Sequence, residues 1–338
     1  MNKLFIIICS LGLLLFSLLF VGCGNNNSNK KPETELIDKS LENDEAAKVF
    51  PYPEIPQMMS DRAEMSRYYL TLFWDKYIKN QRRAAIDSVG LERAYVDYVG
   101  EMAVLQNITG DLHACDNIEK SLFASADSLY LTGDKTLLLN LLKLSEKYLY
   151  DPNSPLLNEE LYIPALEAIL KLKSLSDVDK MQYEYQLQLA KKNRTGSKAA
   201  NFTYTFITPT TESKSSLYSI LADYTIIFFN NPDCQACAKM LQSLKQSNII
   251  TEMVKNGKLK ILAIYIDNQL DLWRKNHVKY PAEWIYAYDH KYILRDNSLY
   301  GIRAIPSFYL LNKDKVVLIK DAPFPQPIID YLSRTISL

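Results

Sequence analysis

The sequence contains little glycine, little histidine and no excess of either charge. Only 10 of its 338 residues are glycine, less than half of the average share of about 7%, which disfavours a barrel-like protein and favours helices. Three histidines leave little material for a multi-histidine metal site. Lys plus Arg and Asp plus Glu both total 39, and this balance argues against general nucleic-acid binding. The length predicts two domains.

Only one long apolar run is present, and it lies at the N-terminus. It extends from Leu4 to Val21, follows a basic residue and precedes Gly22 and Cys23. This order is typical of a secretory signal, and a cysteine after a small residue resembles a bacterial lipobox. The alternative is an uncleaved membrane helix, since 18 residues just span a bilayer. We predict a signal peptide over residues 1–22, a lipid anchor at Cys23, and a membrane-anchored protein of the bacterial cell envelope that faces the periplasm.

Residues 23–57 are predicted to be a tether. The segment begins with the polar stretch GNNNSNKK, which has no periodicity and is typical of a flexible linker. Pro51, Pro53 and Pro56 then predict a stiff, extended lead into the folded part of the chain.

Residues 58–195 have the apolar periodicity of helices and predict an all-α domain. Turn residues and helix-start residues interrupt the pattern at Gly110-Asp111, at 132–134 and at 151–155, so we expect about six helices. This half has no catalytic constellation. His113 and Cys115 are two positions apart, which places them on different sides of a helix, and we expect a surface or capping histidine and a small buried cysteine.

Several tyrosines of the helical half recur at helical spacings beside Leu and Phe. They are predicted to belong to the core and its edge, with a groove for an extended peptide as the alternative. These tyrosines are Tyr68, Tyr69, Tyr77, Tyr95 and Tyr98.

Residues 199–338 predict an α/β domain, after the basic linker 191–196. Tyr224 to Phe229 is a continuous apolar run, as expected of a central strand that is buried on both faces. A helix is predicted from Cys234 to about Asn256, with Gly257 as its stop. Further strands are expected at 202–207, 259–266 and 284–288, a hairpin at 307–311 and 316–319, and helices at 271–276 and 325–337.

The motif Cys234-Gln235-Ala236-Cys237 lies between the buried strand and the amphipathic helix. A helix N-terminus offers free N–H groups and the positive end of the helix dipole, which stabilise a thiolate. The thiolate is the nucleophile in thiol–disulfide exchange. With a two-residue gap, an exposed Cys234 attacks a target and a shielded Cys237 resolves the mixed disulfide.

Other uses of a CxxC motif fit less well. Haem attachment needs a histidine at position 238, which is Ala. A zinc site needs two more ligands at close spacing, and the sequence shows none. A copper chaperone needs a partner cysteine motif, which is also not visible, so no metal site is predicted. A purely structural disulfide remains as an alternative. No GxGxxG occurs, and we expect no cofactor beyond the redox-active Cys234–Cys237 pair.

The succession of strand, NNPDCQAC, helix, LAIYIDN and YGIRAIPSFYLLNKD resembles the thioredoxin fold. In particular, it resembles the membrane-tethered TlpA/ResA-like thiol–disulfide oxidoreductases, including lipoproteins with a helical N-terminal domain of unknown function. The resemblance covers about residues 199–338. It implies a cis peptide at Ile305-Pro306 that faces the cysteines, keeps them from capturing a metal and presents backbone to a target. We assign Ile305, Pro306, Pro232 and Asp233 to a substrate groove.

The sequence departs from the thioredoxin pattern around the cysteines. Phe228 and Met240 occupy positions where related proteins carry a buried acid, and Asp233 replaces a Trp. Asp233 is the nearest candidate to accept the proton of Cys237, although we favour a helix N-cap or first-turn role. Its charge opposes formation of the Cys234 thiolate, which favours a reducing or isomerising role over a strongly oxidising one.

The predicted function is therefore an extracytoplasmic thiol–disulfide oxidoreductase. Its partners are protein disulfides and an extracytoplasmic electron donor, with no nucleic acid. One alternative is a partner- or peptide-binding lipoprotein on a thioredoxin-like scaffold. A peroxidase is disfavoured because residue 231 is Asn, where that chemistry needs a Thr.

Overall fold

The computed structural model describes residues 49–80, 86–208 and 211–336. The predicted signal peptide, Cys23 and most of the predicted tether lie outside these residues. Within the described ranges, no helix is both long and apolar enough to cross a membrane.

The part of the chain before the basic linker is helical, as predicted. Its described residues form seven α-helices, slightly more than expected, and the fifth continues into a π-helical turn over Glu146–Tyr150. The helices are α1 (Arg62–Leu72), α2 (Asp75–Lys79), α3 (Ser88–Thr109), α4 (Asp116–Leu131), α5 (Thr136–Ser145), α6 (Glu159–Ile169) and α7 (Asp177–Ala190).

Side-chain caps fix where several of these helices begin. The Asp61 carboxylate accepts a hydrogen bond from the first turn of α1, and Asp87 does the same for α3. Ser176 and Asp179 form a capping box at the start of α7. Gly110 ends α3 with a left-handed φ of 65°, a conformation that glycine adopts without steric cost.

The core of the helical half is rich in aromatic rings. Tyr77, Tyr95 and Tyr98 are fully buried, so the prediction that they belong to the core is confirmed. Phe50, from the segment assigned to the tether, is also buried and stacks on Tyr77 with ring centroids 5.7 Å apart. The packed part of the chain therefore begins before Met58.

Cys115 and His113 lie in the turn between α3 and α4, so the helical placement assumed for them is wrong. Cys115 is fully buried, and burial raises the pKa of its thiol to about 12. His113 is exposed and its Nδ1 lies 3.0 Å from the carboxylate of Asp116. The expected characters of the two residues, a buried thiol and a surface histidine, are both confirmed.

The C-terminal half forms one seven-stranded mixed sheet in the order β2-β1-β5-β4-β3-β6-β7. The strands are β1 (Thr203–Ile207), β2 (Glu212–Ser216), β3 (Tyr224–Asn230), β4 (Leu259–Tyr265), β5 (Ile285–Tyr288), β6 (Ser307–Asn312) and β7 (Val317–Ala322). The edge strand β2 was not predicted, because its sequence ESKSS has no apolar alternation. It forms only through antiparallel pairing with β1.

Both faces of the sheet are covered, which explains the continuous apolar run in β3. Ile226 and Phe228 belong to the core on one face, and Ile227 and Phe229 belong to the core on the other. The remaining helices are α8 (Gln235–Gln246), α9 (Asn248–Lys255), α10 (Leu270–Asn276), α11 (Ile293–Asp296) and α12 (Gln326–Ile336).

The single helix predicted from Cys234 to Asn256 is wrong, because the chain forms α8 and α9 instead. Ser247 leaves the helical conformation, with φ −75° and ψ 113°, and its hydroxyl accepts the Ile250 N–H at 3.5 Å. The buried residues Leu244 and Ile250 are six positions apart, a spacing that places them on different sides of one continuous helix, so the break was visible in the pattern.

Candidate active site

Cys234 and Cys237 form a disulfide at the start of α8, directly after the turn that follows β3. Their Cα atoms are 5.1 Å apart. Cys234 is the N-cap of α8, since its Sγ accepts the backbone N–H of Cys237 at 3.0 Å. Cys234 is partly exposed, whereas Cys237 is only 3% exposed. The pair thus combines an accessible sulfur with a shielded one at a helix N-terminus.

The turn before Cys234 is held by Asn231. Its carbonyl accepts the Cys234 N–H at 3.0 Å, and its side-chain oxygen accepts the Asp233 N–H at 2.9 Å. Its amide donates to the carboxylate of Asp267 at 3.0 Å. These bonds leave Pro232 half-buried and the Asp233 side chain exposed.

The role that we favoured for Asp233, a helix N-cap or first-turn acid, is wrong. Cys234 itself occupies the cap position, because the helix begins at Gln235. Asp233 therefore lies one residue before the cap, where its carboxylate stays in solvent beside the accessible cysteine.

Ile305 and Pro306 lie next to the disulfide. The peptide between them is cis, as the resemblance implied. The carbonyl oxygen of Ile305 is 3.9 Å from the Sγ of Cys234. The sheet register accounts for this proximity, since Ser307 at the start of β6 pairs with Phe229 near the end of β3. The structure thus brings the four groove residues and both cysteines together at the carboxyl end of the inner strand β3.

The surroundings of Cys237 are apolar. Phe228 is fully buried and stacks on Phe308 with ring centroids 4.5 Å apart, and Met240 packs against the same core. The buried polar group at this end of β3 is Asn230, whose side-chain oxygen accepts the hydroxyl of Tyr280 at 2.8 Å. Burial raises the pKa of Tyr280, so this pair carries no charge at neutral pH. No carboxylate among the described residues forms a hydrogen bond with Cys237.

A buried charged cluster near the site was missed by the sequence reasoning. It joins Arg303 and Lys320 to Glu159 and Asp321, with side-chain exposures of 7–11%. One sequence feature could have indicated this cluster, since the charged pair Lys320-Asp321 interrupts a strand next to the core. Nothing in the sequence indicated its partner Glu159, because that residue lies in the helical half. Within the described ranges, no group of three His, Cys, Asp or Glu residues is placed to hold a metal ion.

Comparison with known proteins covers both halves of the chain. Residues 22–193 match the family described as a domain of unknown function, DUF5106. The chain is similar to a thioredoxin-like protein from Bacteroides caccae, with 38% identity and a TM-score of 0.75, over 85% of this chain and 99% of that one. None of the curated proteins is significantly similar to it.

Two further likenesses are limited to part of the chain. The C-terminal domain of an uncharacterized protein from Bacteroides fragilis is 45% identical, over 42% of this chain and 98% of that one, with a TM-score of 0.40. A domain of a possible thiol-disulfide isomerase from Cytophaga hutchinsonii is 25% identical, over 44% and 96%, with a TM-score of 0.35. Of these three structures, only the Bacteroides caccae protein has a TM-score that indicates a shared fold.

Proposed function

Since the chain belongs to the DUF5106 family and to the thioredoxin-like proteins, we propose that it is a thiol–disulfide oxidoreductase that acts through Cys234 and Cys237. The observation that carries the proposal is the asymmetry of the pair at the N-terminus of α8. Cys234 is accessible and lies beside the Ile305 carbonyl, while Cys237 is 3% exposed. An attacking and a resolving cysteine need this difference in access.

The reaction begins with the reduced pair. The Cys234 thiolate attacks one sulfur of a target disulfide, a mixed disulfide forms, and the other target sulfur leaves as a thiolate. Cys237 then attacks the Sγ of Cys234 and releases the second target sulfur. Two electrons and two protons pass to the target, and the enzyme ends as the Cys234–Cys237 disulfide. An extracytoplasmic dithiol protein returns it to the reduced state.

The groove beside Cys234 orients the target during this exchange. The Ile305 carbonyl points toward the sulfur that carries the mixed disulfide, and an extended target segment pairs with this backbone as an additional strand. Pro232 and Asp233 border the groove on the side of the turn. Because backbone pairing is independent of the side chains, this arrangement accepts protein disulfides of varied sequence.

The remaining parts of the proposal rest on the sequence. The signal over residues 1–22 and the lipid on Cys23 tether the protein to a bacterial membrane, with the helical domain (58–195) and the thioredoxin-like domain (199–338) facing the periplasm. This organisation is that of the TlpA/ResA-like lipoproteins. Asp233 beside Cys234 favours a reducing or isomerising direction.

Trapping of targets tests the proposal. The Cys237→Ala variant lacks the resolving thiol, so its Cys234 is expected to retain targets as mixed disulfides that dithiothreitol releases. A Cys234→Ala, Cys237→Ala double variant is the control, since it keeps the buried Cys115 as the only other thiol after the anchor. We expect the wild type to reduce insulin with a dithiol donor.

Two results would contradict the proposal. One is the absence of trapped protein together with no insulin reduction by the wild type. The other is a Cys234→Ser variant that keeps every cellular function, which would instead support a partner-binding lipoprotein with a spectator disulfide.

A further inference from the structure

The loop that carries Ile305 and Pro306 rests on the helical half of the chain. It covers residues 297–306, between α11 and β6. Lys192 Nζ donates to the Ser298 carbonyl at 2.8 Å and Asn193 Nδ2 to the Leu299 carbonyl at 3.0 Å. A Cβ added to Gly301 would lie 3.6 Å from the side chain of Leu189 in α7. The first part of the loop is therefore seated on the end of α7 and the residues that follow it.

Arg303 fixes the second part of the loop to the helical half. One guanidinium nitrogen donates to the carbonyl of Tyr150, and the guanidinium lies 4.1 Å from the centre of the Tyr150 ring. The other terminal nitrogen is 3.0 Å from Glu159 Oε1 and 2.8 Å from Asp321 Oδ2. The Arg303 side chain is only 11% exposed, so these interactions are little screened by water.

The network continues to the other side of Pro306. Asp321 accepts the hydroxyl of Ser307, the residue directly after Pro306, at 2.6 Å. Lys320 lies 2.6 Å from Glu159 Oε2 and donates to the Ala190 carbonyl at 2.6 Å. Two cations and two anions are thus paired, a balance that matters because an unpaired buried charge is strongly destabilising. Arg303 and Ser307 flank the Ile305–Pro306 peptide and are both bound to Asp321.

We propose that Arg303 is a positioning residue of the redox site and that the helical half, through Glu159 and Tyr150, holds the Ile305–Pro306 loop in place beside Cys234. This inference rests on the proposed function. A target that pairs with the Ile305 backbone binds more tightly when that backbone is already ordered, because ordering it costs binding free energy. The helical half therefore forms part of the support of the substrate groove.

The two neighbouring glutamates at the start of α6 offer a matched test. Glu159 contacts Arg303 of the loop, whereas Glu160 pairs with Arg194 of the linker at 3.1 Å and does not contact the loop. Glu159→Gln and Glu160→Gln make the same chemical change one residue apart, in the same first turn. Arg303→Met removes the loop's own anchor, and Arg303→Lys keeps a charge without the planar fork.

The first measurement separates the binding of a target from the chemistry at Cys234. In the full chain, Glu159→Gln and Arg303→Met are expected to raise KM for insulin about tenfold, because breaking a buried ion pair shifts a local equilibrium by at least about that factor. The rate with a small disulfide, which needs no backbone pairing, stays within about twofold of wild type. Arg303→Lys gives an intermediate KM, and Glu160→Gln stays at the wild-type value for both substrates.

The second measurement needs no turnover. Hydrogen exchange of the segment 300–309 in the oxidised protein is expected to be about tenfold faster in Glu159→Gln and Arg303→Met, and unchanged in Glu160→Gln. If the wild type reduces disulfides but Glu159→Gln and Arg303→Met both exchange at the wild-type rate, the positioning role of Arg303 is overturned and the proposed function is not. A wild type that reduces no disulfide would overturn the proposed function and, with it, the assignment of Arg303 to a redox site.

Discussion

Glu119 in α4 is expected to make the stability of the protein fall as the pH rises. The side chain is fully buried, and neither carboxylate oxygen has a hydrogen-bond partner among the described residues. Burial raises its pKa from 4.5 to about 8, and the nearby charge of Asp116 acts in the same direction. The buried tyrosines Tyr95 and Tyr98 lie near enough for Glu119 to raise their pKa values as well.

The sign and size of the effect follow from the difference between the two states. Unfolded Glu119 loses its proton near pH 4.5, while the folded protein keeps the proton until about pH 8. Its contribution to stability is complete below pH 4.5 and is lost as the pH rises through 8. Each pKa unit is worth about 1.4 kcal/mol, so the total loss approaches roughly 5 kcal/mol, of which about 2–3 kcal/mol falls between pH 6 and 9.

A Glu119→Gln variant isolates this contribution, because glutamine has nearly the same shape and does not ionise. We expect its free energy of unfolding, relative to wild type, to increase by about 2–3 kcal/mol between pH 6 and 9. Urea denaturation at four or five pH values measures the difference, and Glu184→Gln, an exposed position in α7, is the control. A constant difference between Glu119→Gln and wild type across this range would show that the pKa of Glu119 is not raised in the folded protein.

Two further predictions concern the surroundings of the cysteines. Asp233→Asn removes a negative charge next to Cys234 and should raise the rate at which Cys234 attacks a small disulfide at pH 6 about twofold. A neighbouring unit charge in water is worth at most about 1 kcal/mol, and the lower nucleophilicity of a more acidic thiolate offsets part of the gain. Stopped-flow kinetics checks this, with Asp223→Asn before β3 as the control, and a rate at or below wild type would contradict it. Phe228→Ala should lower the free energy of unfolding by about 3–5 kcal/mol, because it empties a fully buried site that is stacked on Phe308. Chemical denaturation measures the loss. As a control, Phe324→Ala at a half-exposed position should change the free energy of unfolding by less than about 0.5 kcal/mol. Equal losses in the two variants would contradict the prediction for Phe228.

Much of the fold was predictable because it follows from local patterns. The central strands β3 and β4 are continuous apolar runs between turn residues, and both were expected within one residue of their bounds. The prediction of a helical half before a thioredoxin-like α/β half is confirmed. Strand β2 was not predictable in this way, because it is polar and forms only through pairing with β1.

The candidate site was predictable to a similar extent. Cys234 and Cys237 share one helix start, so their spacing and their flanking strand and helix were enough to place them together. The assignment of Asp233 failed because a cysteine sulfur can itself accept the capping hydrogen bond, an alternative that the usual preference for Asp at N-caps conceals.

Local sequence patterns specify the cysteine pair, its place between a buried strand and a helix, and the division into a helical and an α/β half. These features depend on residues within a few positions of one another, where turn chemistry and periodicity act directly. Which distant residues come into contact depends instead on the tertiary structure. The Ile305 carbonyl reaches Cys234 across 71 positions because β6 pairs with β3, and Arg303 reaches Tyr150 across 153 positions because the loop rests on the helical half. Such contacts depend on the pairing and packing of whole elements, which no local pattern specifies.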